Sequence, residues 1–224
     1  MEVLDELAKY PIFGIKEVME LAKSEEMAYN KLRSLKKSDQ VRKIRNNMYS
    51  VVNPATGRLA ANRYQIASAI TETAYLSHHS AFEYYGLAKQ ILNEVYVSSE
   101  RIFNHFTYDN VTYKYVSSKM DEGIVEAQNI PGVRVTDLER TVIDSIRDLK
   151  KTGGFEELIY CLEGIHYLEE MNLRKYLEIY NIESLYQKVG DFLSPYRKQM
   201  QISRNFIEYC RNKNRLDITS QVVL

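Results

Sequence analysis

Residues 24–52 read SEEMAYNKLRSLKKSDQVRKIRNNMYSVV, and this stretch decides the fold of the N-terminal part. Ser24 is placed to cap a helix, with Glu25 and Glu26 in its first turn, where acids suit the helix dipole. Ala28, Leu32 and Leu35 follow at i, i+4 and i+7, one buried stripe. The opposite face carries Glu26, Tyr29, Asn30, Arg33, Lys36 and Lys37. Two β-prone runs come next, Val41–Arg45 and Met48–Val52, with Asn46-Asn47 between them; Asn tolerates the positive φ of a tight turn. Val41 and Ile44 are not in strict alternation.

Upstream, Val3, Leu4, Leu7 and Ala8 recur at helical spacing before Pro11, and Ile15, Val18, Met19, Leu21 and Ala22 suggest a second helix after Gly14. Three helices and a basic hairpin in this order predict a winged helix-turn-helix over residues 1–52. The charge agrees. Residues 1–30 hold three Lys against seven Asp or Glu, whereas residues 31–45 hold seven Lys or Arg against one Asp.

Such a face suits double-stranded DNA. Arg bonds guanine at two places, Asn does so with adenine, and Lys neutralises phosphate. Base reading is expected from Tyr29, Asn30 and Arg33, with phosphate or minor-groove contacts from Lys36, Lys37, Arg42, Lys43, Arg45 and the Asn46-Asn47 tip; Ser24 and Glu26 are expected in the same DNA contact. One small winged helix has few base contacts, so two copies pairing on a repeated or palindromic site are expected. The alternative is a winged helix that binds a protein partner and no DNA.

Residues 53–224 read as a second, α+β domain that ends in helices. Asn53–Gly57 is turn-like, 63–73 helical, and a helix starts near Ser77 and ends at Gly86. Short strands, read as antiparallel, are expected at 94–98, 106–116 around Asp109-Asn110, 123–128 and 133–135. Thr136 and Glu139 form a capping-box pattern before Val142, Ile143 and Ile146. Helices are expected at 155–164, 173–180 and 184–193, with a weaker signal at 199–210. This part holds 20 basic and 22 acidic residues, so it shows no DNA footprint by count; Lys89, Arg101, Lys114 and Lys119 are the candidates for a second basic surface.

Net charge is zero, which excludes a globally basic nucleic-acid binder. No apolar run approaches the ~18–20 residues of a membrane helix, and the N-terminus lacks the pattern of a signal peptide. Cys161 and Cys210 read as packed or semi-exposed thiols, and a cytoplasmic protein is expected. Phosphate-binding glycine motifs and the Gly-Ser…Asp-x-Asp pattern of nucleotidyltransferases are missing. His78 and His79 leave a helix about 100° apart and share a metal poorly. Glu156-Glu157 and Glu169-Glu170 read as solvated helix positions, and Arg140, Asp144 and Asp148 as a surface or partly buried ion network. No catalytic residue, metal site or cofactor is expected.

Several stretches, in order, carry a likeness to a known family. They are Asn46–Val51; Tyr75-Leu76-Ser77 with Ser80-Ala81 and Tyr84-Tyr85-Gly86-Leu87; Val135 to Asp144 with Gly153-Gly154; and Val189–Leu193. The chain resembles the AbiEi family, the antitoxin and transcriptional regulator of abortive-infection toxin–antitoxin pairs. The family usually has Gly where this chain has Asn47. The resemblance implies a repressor that binds inverted repeats upstream of its own operon. It also implies an antitoxin role for the second domain, opposing a nucleotidyltransferase-like toxin without a stable complex.

Overall fold

The computed structural model describes residues 2–221. Helices α1 (Glu2–Leu7), α2 (Ile15–Glu20) and α3 (Glu25–Lys37) precede a two-stranded hairpin, β1 (Val41–Arg45) and β2 (Met48–Val51). Ser24 Oγ accepts from Met27 N at 3.3 Å and starts α3. Leu7, Phe13, Val18, Ala28, Leu32, Leu35, Val41 and Val51 close one buried cluster. The hairpin register shifts between Lys43 and Arg45, so that one extra residue sits on β1. This bulge is why Val41 and Ile44 are both buried although three positions apart.

The hairpin tip is tied to α2. Asn47 has φ 52°. Its Oδ1 accepts from Ile15 N at 2.8 Å and so satisfies a free N–H at the start of that helix. Gly14 permits the approach, since a Cβ there would lie 2.9 Å from Asn47 Nδ2. Asn at this turn thus supplies both the backbone conformation and a bond that Gly lacks.

After the turn at 53–57, α4 (Arg63–Ser68) is shorter than the sequence suggested. Asn62 starts it by accepting from Tyr64 N and Gln65 N. The six further strands are β3 (Tyr75–Leu76), β4 (Glu94–Ser99), β5 (Phe106–Tyr108), β6 (Val111–Ser117), β7 (Ile124–Glu126) and β8 (Arg134–Thr136). They form one sheet in the order β5-β6-β4-β3-β8-β7. The expected antiparallel arrangement is corrected here: β4 pairs with β6, and β3 with β8, in parallel. Parallel partners are brought together by long crossovers, and strand composition does not report them. Helix α5 (His78–Tyr84) links β3 to β4 and is followed by Gly86 at φ +71°. Ile44 and Met48 of the hairpin join the sheet cluster with Ala61, Ile66, Val95 and Phe103, so apolar packing crosses position 52.

Helices α6 (Leu138–Arg147), α7 (Phe155–Glu163), α8 (Glu170–Tyr180), α9 (Glu183–Leu193) and α10 (Arg204–Gln221) close the chain around a third cluster, which contains both buried thiols, Cys161 and Cys210. The start of α6 is one residue later than expected. Asp137, not Thr136, is the cap, accepting from Arg140 N at 2.8 Å, while Thr136 Oγ1 lies 2.7 Å from Thr141 Oγ1. Burial pushes the Asp137 carboxyl above its usual range, against the opposing effect of the Tyr176 hydroxyl that bonds it. Asn at 137 keeps the cap acceptor and loses the desolvated charge. Asp137→Asn is therefore expected to change stability by less than about 1 kcal/mol, and Asp137→Ala to cost about 1–2 kcal/mol. Urea midpoints at pH 7 check this, and equal losses for both variants would refute it.

Candidate nucleic-acid interface

The exposed side of α3 and the hairpin tip face one groove of about 360 Å³. Tyr29, Arg33 and Lys36 line it from the helix, Asn46 and Asn47 from the tip, and Ile15 and Tyr49 from the floor. Glu26, Asn30, Lys37 and Lys43 are also exposed. Ser24 is spent on its capping bond. Among the described residues no ion pair or side-chain hydrogen bond ties down Arg33 or Lys36, so both remain free for a ligand.

Arg42 and Arg45 do not join this face. Arg42 is held by Asp39 at 2.7 Å (Nε–Oδ1) and 2.5 Å (Nη2–Oδ2), and donates to Gly57 O at 2.9 Å. The pair keeps the Asp39 carboxyl below its usual range. Arg45 turns to the sheet, its guanidinium carbon 4.7 Å from the centre of the Phe106 ring and 6.0 Å from that of Phe103. Among the described residues its buried Nη1 has no hydrogen-bond partner. The bulge explains Arg45, since the extra residue reverses which side of β1 faces the sheet beyond Lys43; Arg42 lies before it and is withdrawn by Asp39 and Gly57. Asn47 is likewise half committed, by its bond to Ile15.

The four residues expected as a second basic surface do not cluster. Lys114 pairs with Glu94. Lys89 stands 5.5 Å over the Tyr160 ring and its N–H donates to Glu157 Oε1 at 2.8 Å. Arg101 is exposed. Lys119 alone lines a basic cavity, and its companions there are Arg147 and Lys151. Neither of these was singled out, because their approach to Lys119 is purely tertiary.

Other charges lie deeper than the sequence suggested. Arg140 and Asp144 are each 1% exposed, with Nε 3.0 Å from Oδ2. Arg140 also donates to Glu122 O at 2.7 Å, and Tyr180 donates to Asp144. The surface or partly buried network expected there is a core pair at Arg140 and Asp144, while Asp148 pairs with Lys151 instead. His78 and His79 are both buried, and among the described residues His78 Nε2 and His79 Nδ1 lack hydrogen-bond partners, although His79 Nδ1 lies 3.9 Å from Glu83 Oε2. Glu157, expected to be solvated, is 2% exposed. Its Oε1 accepts from Lys89 N and Gln90 N and lies 3.3 Å from His79 Nε2. It pins the loop after α5. Among the described residues no group of three His, Cys, Asp or Glu is arranged to hold a metal, and no helix is long and apolar enough to cross a membrane.

No family model matches the chain, and no curated protein matches it. Among solved structures it is similar to the RV2827C protein from Mycobacterium tuberculosis, with a TM-score of 0.61 and 10% sequence identity, over 94% of this chain and 80% of that one. At that identity the likeness is one of fold.

Proposed function

We propose that residues 1–52 act as a winged helix-turn-helix that binds double-stranded DNA. The observation that carries this reading is the groove where Tyr29, Arg33 and Lys36 of α3 meet the Asn46-Asn47 tip. Helix α3 is the reading helix, with Asn30 and Arg33 toward base edges, and Lys36, Lys37 and Lys43 toward phosphates. Arg42 and Arg45 serve instead to fix the hairpin against the rest of the molecule. The ordered motifs that resemble the AbiEi family support the remainder. Residues 53–224 form an antitoxin domain, and the protein represses its own operon from inverted repeats, one copy on each.

Fluorescence anisotropy with the upstream DNA of the protein's own operon tests this. Arg33→Ala is expected to weaken binding by about 5–150-fold, the range of one bidentate base contact. Lys36→Ala is expected to reduce the salt slope by about 0.9 if it neutralises one phosphate. Arg45→Met is expected to lower the melting temperature and leave the salt slope intact. Unchanged affinity in Arg33→Ala would remove the reading. A protein partner for residues 1–52 is the second reading, favoured by the exposure of Met19, Leu21 and Met27 at 40%, 38% and 52%. It predicts binding with little dependence on salt.

A further inference from the structure

A cavity of about 650 Å³ opens between the end of β6, the C-terminal end of α6 and the end of α8. Its walls are of two kinds. Lys119, Arg147 and Lys151 supply cations, with one carboxylate, Asp148, beside them; Tyr115, Tyr180 and Ile182 supply apolar surface.

The positive charge here is balanced from within only at Lys151. Asp144 is taken by Arg140, and Asp148 by Lys151. Among the described residues no carboxylate lies within ion-pair distance of Arg147 or Lys119. Arg147 is half-buried, and its guanidinium carbon stands 4.3 Å from the centre of the Tyr180 ring. That stacking fixes the plane of the guanidinium and leaves its edge donors free, the geometry that suits bidentate contact with an oxyanion. Burial, helped by the like charge of Arg147 and opposed by Asp144, holds the Lys151 amine below its usual range. Two cations that repel one another across a concave surface are stabilised together by an anion between them.

Cations at the end of α6 also complement its dipole, but that role needs neither a cavity nor Lys119, which lies on a different element. A concave site favours a compact ligand. A nucleic-acid backbone is tracked by cations along a groove or stripe. The volume lies within the ~300–1,000 Å³ of small-molecule sites, and the apolar wall is larger than a bare inorganic ion requires.

We propose that this cavity binds a small organic phosphate. Its phosphate lies between Arg147, Lys119 and Lys151, and its carbon skeleton lies against Tyr115 and Ile182. The site is separate from the groove at α3, and its occupancy does not depend on DNA binding.

Calorimetric titration of the full chain with inorganic phosphate, adenosine monophosphate and adenosine, at low salt, tests the proposal. Adenosine monophosphate is expected to bind one to one, at least about tenfold tighter than inorganic phosphate, and adenosine not at all. Arg147→Gln and the exposed Lys119→Gln are each expected to weaken the monophosphate by about tenfold or more, with Lys188→Gln, on α9, as the unchanged control. Lys119→Gln carries no risk to the core, so a misfolded Arg147→Gln leaves the test intact. Three results overturn the proposal. They are no saturable binding of the monophosphate, binding indifferent to Lys119→Gln, or binding confined to oligonucleotides and tightening with their length.

Discussion

Asp144→Ala is expected to destabilise the protein by about 3–5 kcal/mol, the range for removing one partner of a buried ion pair. The mutation leaves Arg140 charged and 1% exposed, with only the carbonyls of Glu122 and Met120 to receive it. It also strips the Tyr180 hydroxyl of its acceptor. Once the carboxylate is gone, burial works against the Arg140 charge, but an arginine gives up its proton only far above neutral pH, so proton loss offers no relief. Replacing both partners, as Arg140→Met with Asp144→Leu, is expected to recover most of the loss, since an apolar pair carries no desolvation cost. Urea unfolding with matched m-values measures both. A cost below about 1 kcal/mol for Asp144→Ala would show that water reaches the pair, and would refute its assignment as a core contact.

Acid is expected to weaken the fold through His78. Burial lowers its pKa from 6.5 to about 4, with Arg147, Lys151 and Arg140 adding to the effect and Asp144 opposing it. The unfolded chain takes up a proton at this residue below pH 6.5, and the folded chain does so only below about 4. Stability is therefore full above pH 6.5 and falls as the pH drops toward 4. The slope is about 1.4 kcal/mol per pH unit, and the whole loss about 3 kcal/mol. His78 also adopts φ 53°, which Asn tolerates. His78→Asn is thus expected to cost some packing at pH 7 and to flatten the curve between pH 6.5 and 4. Unfolding midpoints of both proteins across that window decide the matter: parallel curves would show that the acid sensitivity arises elsewhere.

The N-terminal elements were legible because their signals are local. Ser24 caps the helix whose stripe is Ala28, Leu32 and Leu35, and Asn46-Asn47 marks the turn. The α5 end at Gly86 and the hairpin at Asp109-Asn110 were legible for the same reason, as positive φ leaves a residue signature. Arg42 and Arg45 were misread because strand alternation fixes sidedness only while the register is regular. The bulge at Ile44 turned Arg45 to the sheet, while Arg42, before the bulge, was withdrawn by Asp39 and the Gly57 carbonyl.

The amino-acid order alone determined where helices and turns begin, and that the basic residues of 31–45 follow an acidic start. These follow from backbone preference and periodicity within a few residues. Tertiary structure alone decided which charges are spent and which are free. It buried Arg140, Asp144, His78 and Glu157, withdrew Arg42 and Arg45 from the α3 face, and gathered Lys119, Arg147 and Lys151 around one cavity. The reason is that a charge acts through distance and desolvation, and residues far apart in the chain set both.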